Sequence, residues 1–553
     1  MADWWSTKIC FWVLACAAGV VLCLAGCTKH NYKAEADKQV YGIIDKKWQS
    51  EFGPKANYRI SDVPPSPNDI QVERVVPASG ILTLPQAVAI AVAHNRDYQT
   101  QREKLYTIAL DLRLTRHEFE YKFFGGFSGG YARDRNDEEW GLETTWGFNR
   151  LFASGTMIST RVGAAWAEVL SGNLKSGLAS ILGITVTQPL LRGSDPKIIL
   201  EPLTQAERDT VYQLRMFSRF RKKTVVLVIT QYYQVLQLHD KVKNAKDHYD
   251  KLVWFLEQAG KLADAGRLPK YEVEEIKQRK LNAWDDYVKA QKEYGMTLDL
   301  LKITLGLPTT AEFELDQNEL DALKAVELKY PDFTEKDVIE TALCRRLDLA
   351  NSADAVIDAQ RQVYVAKDAL RADASLVGSV DTVSKGGGSR QTLKAKDNYN
   401  LDVGLNLPLD RVAEQNIYRK ALIDMNAKKR GYDLLADTVA MEVRQAHRDL
   451  VEAAERFKVH SEGLKVAEKR FKDTLMLMRY GRASSRRVVS ALNDLRDARN
   501  GATEALVDYT TATLKFYRDT EVLKVRPDGM WEKDETSVAS DSLQDGMLRS
   551  KKE

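Results

Sequence analysis

Cysteine, proline and any excess of one charge are all scarce in this 553-residue chain. Four of its five cysteines stand at positions 10, 16, 23 and 27, and only Cys344 lies in the body, so no internal disulfide framework holds the chain together. It has 14 prolines and 44% apolar residues, which excludes a collagen-like or disordered proline-rich polymer. Lys and Arg number 81 against 78 Asp and Glu, and a net charge of +3 is too slight for a partner as anionic as nucleic acid. No apolar run of transmembrane length follows residue 26, and mean hydropathy is −0.38, which excludes a polytopic helical membrane protein. A membrane β-barrel is not excluded, because its strands average an apolar and a polar face. Catalytic motifs are missing too: there is no nucleophile elbow, dinucleotide loop or nucleotide-binding loop. None of the seven histidines sits in HExxH or near a cysteine at ligand spacing, and His460 reads as a packing residue. A non-enzyme with no cofactor and no metal is expected.

What the chain does have begins at its N-terminus. Lys8 precedes an apolar stretch from Phe11 to Leu24, and small residues follow, the pattern of a secretory leader over residues 1–26. Leu24-Ala25-Gly26-Cys27 resembles the bacterial lipobox, which implies cleavage before Cys27 and its acylation, with palmitate among the possible chains. Two or more acyl chains, at about 0.8 kcal/mol per buried methylene, would anchor Cys27 in a leaflet. Thr28 stands where an aspartate would signal retention at the inner membrane, so the outer membrane is expected.

The rest of the chain repeats itself. Residues 82–131 align with 333–382 at a constant offset of 251, each copy opening on a threonine, Thr83 or Thr334. Gln188-Pro189-Leu190-Leu191-Arg192 matches Leu407-Pro408-Leu409-Asp410-Arg411 at an offset of 219, and Gly266-Arg267 matches Gly481-Arg482 at 215. The first copy therefore carries 32 extra residues before its Pro-Leu motif. Each copy runs in the order helix, strands, long helix, break, long helix. A seam of Val443, Ala446, Leu450, Ala453, Phe457, His460, Leu464, Ala467, Phe471, Thr474 and Met478 alternates spacings of three and four, a coiled-coil signature. No proline interrupts residues 412–478, so one helix of roughly 100 Å is expected at about 1.5 Å per residue. A similar run is expected over 200–260.

The strand segments alternate with a period of two. Tyr399, Leu401, Val403, Leu405 and Leu407 oppose Asn400, Asp402, Gly404 and Asn406; Trp140, Leu142, Thr144, Trp146 and Phe148 oppose Gly141, Glu143, Thr145, Gly147 and Asn149. Tyr121, Phe123, Phe127 and Tyr131 likewise share a face. Strands of about ten residues with one apolar face suit an outer-membrane barrel.

In the order and duplication of these motifs the chain resembles the TolC-type outer-membrane efflux proteins over about residues 80–525. The carrying segments are LTLPQAVAIAVAHNRDYQ and FTEKDVIETALCRRLDLA, TQPLLRG and NLPLDR, and AGRLPKYEVEEIKQRK and YGRASSRRVVSALNDLRDAR. The resemblance implies a mainly α fold with transmembrane β strands: a duplicated helix–strand–helix repeat that forms a trimeric β-barrel continued by a long α-helical periplasmic tube. It implies a homotrimer in outer-membrane lipid, served by a periplasmic adaptor protein and an inner-membrane RND or ABC transporter. The expected organisation is leader 1–26; lipidated extended linker 27–80; repeat one 81–306 with strands in about 120–188; connector 307–332; repeat two 333–525 with strands in about 371–407; and a disordered tail 526–553. Family members give two strands per repeat. Here the 32 extra residues hold a second alternating hairpin, 140–166 about a turn at 152–155, which either projects outside, the favoured expectation, or widens the barrel.

Pro189 and Pro408 end the last strand of each repeat and, lacking an amide donor, suit a barrel-to-tube hinge. Gly266, Arg267, Gly481 and Arg482 interrupt helical sequence; by resemblance they form the periplasmic tip that meets an adaptor, with Lys270, Arg486 and Arg487 adding charge. Gly386-Gly387-Gly388 reads as an external loop, and Cys344, matched to Ala93, as a small packing residue. The function so implied is passive export across the outer membrane in a tripartite efflux or type I secretion system. The alternatives are a periplasmic adaptor and a structural coiled-coil lipoprotein.

Overall fold

The computed structural model describes residues 29–49, 52–55, 57–60, 80–133, 138–169, 175–324, 334–387, 395–407, 409–480, 482–526 and 531–533. The leader with Cys27, Pro408 and Gly481 therefore lie outside the described residues.

The two halves of the chain build the same elements. Helices α2 (Leu84–His94) and α3 (Arg96–His117) correspond to α8 (Glu335–Arg345) and α9 (Leu347–Asp368), with 11 and 22 residues in each pair. Thr83 and Thr334 start them for the same reason. Thr83 forms a capping box in which its N–H donates to Gln86 Oε1 at 3.1 Å, and Thr334 Oγ1 accepts from the Asp337 N–H at 3.3 Å. Each pair breaks at one extended residue, Asn95 or Arg346. The long helices follow the same plan: α5 (Glu201–Asp264) and α6 (Lys270–Leu305) in the first half, α10 (Val412–Arg479) and α11 (Ser485–Asp519) in the second. Short helices α4 (Pro196–Ile199), leading into α5, and α7 (Asn318–Lys324), in the inter-repeat connector, complete this set.

The chain divides into two compact units, and each draws on both halves: residues 1–48, 104–214 and 353–431 form one, and 49–103, 215–352 and 432–553 the other. The first holds a six-stranded antiparallel sheet in the order β2 (Lys122–Arg133), β3 (Glu138–Leu151), β4 (Met157–Val169), β5 (Lys175–Pro189), β7 (Asp373–Gly387), β8 (Ala395–Asn406). Here the expectation of a projecting hairpin fails. Strands β3 and β4 lie inside the sheet, so both edges of the hairpin are hydrogen-bonded to neighbours where a projecting hairpin would leave them bare. The glycine run is also displaced from its expected loop, since β7 continues through Gly387.

The same unit corrects the extended linker. Residues Lys29–Lys47 form helix α1, because Val40, Ile43 and Ile44, spaced by three and four, make one side apolar and are buried. Tyr106 OH donates to Asp37, Arg113 Nε donates to Gln39 Oε1 at 2.6 Å, and Lys47 Nζ donates to the Glu207 carbonyl at 3.3 Å.

The second unit is helical, with two small sheets. Strand β1 (Ile81–Leu82) pairs in parallel with β6 (Glu314–Leu315), and β9 (Leu523–Val525) pairs with β10 (Trp531–Lys533). The second pairing corrects the disordered tail for those three residues. The main core gathers Leu82, Val88, Ile229, Tyr232, Leu301, Leu506 and Leu514. The heptad seam on α10 is buried at Val443, Ala446, Leu450, Ala453 and Ala467. Cys344 is exposed rather than packed, as is its counterpart Ala93, because both fall on the outer side of their short helices.

Candidate functional site

The sheet separates its residues into two chemically distinct faces. One row of partners runs Phe123, Phe148, Thr160, Ile184, Val380 and Tyr399 across all six strands. The adjacent row, one residue along and so on the opposite face, runs Phe124, Gly147, Arg161, Gly183, Asp381 and Asn398. The apolar face is uncovered: Phe123 is 80% exposed, Trp146 62%, Leu401 72%. So large a continuous apolar surface marks a face that meets something other than water. Beyond β2 and β8 no strand continues the ladder among the described residues.

At the end of the sheet nearest the helices the apolar face carries a cluster of rings. Tyr121 and Phe148 meet edge to face at 5.3 Å, Phe123 and Phe148 lie 5.9 Å apart, and the Arg150 guanidinium stands 4.3 Å from the Tyr121 ring and 4.6 Å from that of Phe152. These contacts gather aromatic rings and a long cation at one level of the apolar face.

Pro189 lies between a strand and a short helix. It is the last residue of β5 and pairs with Ser375; beyond it the Leu190 N–H donates to the Ala374 carbonyl at 2.7 Å, and the ladder then gives way to a turn. Gly193, at φ +71°, donates its N–H to Asp368 Oδ2 at 2.7 Å. Asp195 caps α4 by accepting from the Lys197 N–H at 2.9 Å, and also accepts from Tyr364 OH at 2.5 Å. The turn of the extra hairpin is fastened to the same place. Gln188 Nε2 donates to the Ser154 carbonyl at 3.3 Å, Thr156 Oγ1 donates to Gln188 Oε1, and Gly155 sits against Pro189 at φ +78°. In the second repeat Arg411 Nη1 donates to the Leu370 carbonyl at 2.9 Å.

The two helix–helix turns have matching geometry. Helix α5 ends with the Gly266 N–H donating to the Ala263 carbonyl at 3.0 Å and the Arg267 N–H to Leu262 at 2.8 Å, and Gly266 has φ +68°. That is a Schellman stop, in which a left-handed glycine satisfies the last carbonyls of a helix. In the second repeat the Arg482 N–H donates to the Leu477 carbonyl at 2.8 Å, the same six-to-one closure. Behind the turns Leu252, Phe255, Ile276, Val488 and Leu492 form a core that joins both hairpins, and Ser485 Oγ donates to Glu272. Arg267, Lys270, Arg482, Arg486 and Arg487 are exposed, and Arg486 pairs with Glu275 at 3.4 Å.

Elsewhere in the helical unit an ion-pair network holds the helix break. Arg346 is buried at the helix break, with Nη2 2.7 Å from Asp348 and Nη1 2.6 Å from Glu442, while Arg219 also reaches Asp348. Burial alone would raise the Asp348 pKa, but the two arginines hold it below the usual carboxylate range. A cleft of about 1070 Å³ lined by Arg219, Lys223, Glu442, Asp449, Arg456 and Asp508 mixes both signs of charge. Among the described residues no cluster of His, Cys, Asp or Glu is arranged to hold a metal ion, and no helix is long and apolar enough to cross a membrane.

Asp195, Asp368 and Tyr364 carry no local sequence signal. Their contacts join residues 169 to 175 positions apart, between the turn after β5 and helix α9. The one local signal at this junction was the turn composition Phe152-Ala153-Ser154-Gly155.

An open antiparallel sheet with one apolar face, joined through duplicated strand-to-helix junctions to two long helical hairpins, is the protomer fold of the TolC-type outer-membrane channels. Among solved structures it is shared with the outer-membrane channel OprN, at 14% identity and a TM-score of 0.59 over 85% of this chain and 98% of that one. It is shared also with the Campylobacter jejuni CmeC outer membrane channel, at 14% identity and 0.58 over 90% and 97%. The open state of the Neisseria gonorrhoeae MtrE outer membrane channel matches at 13% identity and 0.56 over 79% and 88%. No protein-family model matches the sequence, and no curated protein does.

Proposed function

We propose that this chain is one protomer of a trimeric outer-membrane channel that exports solutes passively, as the exit duct of a tripartite efflux or type I secretion system. The observation that carries this reading is the sheet itself. It has a continuous apolar face, a polar opposite face, and two edges that no other described strand covers. In lipid each uncovered backbone group costs several kcal/mol, so such a sheet is viable there only if further copies close it into a barrel. The even number of strands lets β8 of one copy run antiparallel to β2 of the next, so a head-to-tail ring closes without a mismatch.

In this reading Cys27 carries the lipid anchor in the outer membrane, and Pro189 and Pro408 turn the chain from barrel strand to periplasmic helix. The turns at Gly266-Arg267 and Gly481-Arg482 are where the helical hairpins of an adaptor dock, with the exposed arginines meeting its carboxylates or carbonyls. An RND or ABC transporter would supply the energy and most of the selectivity. Membrane fractionation with heated and unheated gels tests the assembly. A trimer-sized band in the outer-membrane fraction that collapses to monomer on boiling is expected; a protein that fractionates as a soluble monomer overturns the reading.

A further inference from the structure

We infer that the assembled barrel has eighteen strands and that the hairpin β3–β4 enlarges its lumen; this rests on the trimeric channel reading above. Three observations place the hairpin in the barrel wall. Its strands share 12 register pairs with β2 and 13 with β5, so it is spliced between them along all of β2 and nearly all of β5. Its described side chains continue both faces: Trp146 and Val162 sit on the apolar side, and Glu143 and Arg161 on the polar side. Its turn is fastened beside Gln188 and Pro189, at the helix end of the sheet, whereas a hairpin projecting outward would place its turn at the opposite end.

The six described strands of this sheet are fewer than the eight or so of the smallest membrane barrels, so a single copy of the sheet does not close by itself. Three copies give eighteen. With strands about 4.8 Å apart and tilted about 40°, eighteen span a backbone diameter of roughly 36 Å, against roughly 24 Å for the twelve that remain without the hairpin. Barrels of about sixteen to eighteen strands leave an aqueous channel, so the exit admits solutes too bulky for the narrower ring.

Single-particle imaging of the purified full-length trimer counts the strands. Eighteen supports the inference, a ring of twelve overturns it while keeping the channel, and particles with no ring remove the channel reading itself. Cysteine labelling in lipid vesicles gives an independent readout on conducting protein. Trp146→Cys and Val162→Cys are expected to react with a membrane-impermeant maleimide at least tenfold more slowly than Arg161→Cys. Equal rapid labelling of all three in a conducting trimer overturns the inference.

Discussion

Single residues hold the junction and the helix break in place. Gly155 has φ +78°, and a Cβ there would lie 2.8 Å from Pro189 Cγ and 2.9 Å from the Gly193 carbonyl. Gly155→Ala combines left-handed strain of about 1–2 kcal/mol with this crowding. The expected result is an assembly that dissociates at lower temperature on unheated gels, while Ser154→Ala, whose carbonyl bond is retained, changes little. At the helix break, Arg346→Ala removes the cation shared by Glu442 and Asp348 and leaves Asp348 with Arg219 alone, for an expected loss of about 1–3 kcal/mol in denaturant unfolding. A third residue sets a pH dependence. His248 is buried at 4% exposure, and burial, reinforced by Arg496 and opposed by Asp497, Asp286 and Asp247, brings its pKa down to about 4. The unfolded chain, with an ordinary imidazole, binds more protons between pH 6.5 and 4, so stability is complete above that window and is lost as pH falls through it. Between pH 7 and pH 5 the loss is up to about 2 kcal/mol, and His248→Gln should flatten this dependence in chemical denaturation at the two pH values.

Elements explain what the sequence made visible. The paired helices were legible because Thr83 and Thr334 open them at the same offset and the seam from Val443 to Met478 repeats without a break. Both signals are local, and local periodicity maps directly onto one helical face. Alternation likewise marked Leu142, Trp146 and Phe148 as one face of a strand, but it is identical whether a hairpin projects or is spliced in. What decides between these is register with β2 and β5, a pairing across the chain that no local window contains. The linker failed for a related reason: Pro64-Pro65-Ser66-Pro67 directed the reading toward extended chain, while the short spacing of Val40, Ile43 and Ile44 was the stronger signal. Pro189 ends a strand and Gly266 stops a helix, local features that proline and glycine chemistry make legible, whereas the network around Asp368 needed two distant halves. At the tip, Gly266→Val costs about 1–2 kcal/mol because a branched residue must take the left-handed conformation. If the turn docks an adaptor, the variant assembles normally yet export falls at least severalfold in whole cells; unchanged export with normal assembly removes the docking role.

For the whole molecule the near-neutral charge and middling hydropathy become intelligible as an average. Strands with an apolar face offset long polar helices, and opposite charges pair across the two helical hairpins, as in Arg496 with Asp286 and Arg499 with Asp247. The composition that excluded a helical membrane protein is thus compatible with a sheet that has one apolar and one polar face, and in the channel proposed above those faces meet lipid and water. Single-channel recording of the full-length, detergent-purified protein in planar lipid bilayers tests this most directly. The predicted result is stepwise insertion of conducting units from the trimer fraction alone; a trimer that inserts and never conducts, or conduction that is absent from every fraction, would contradict it.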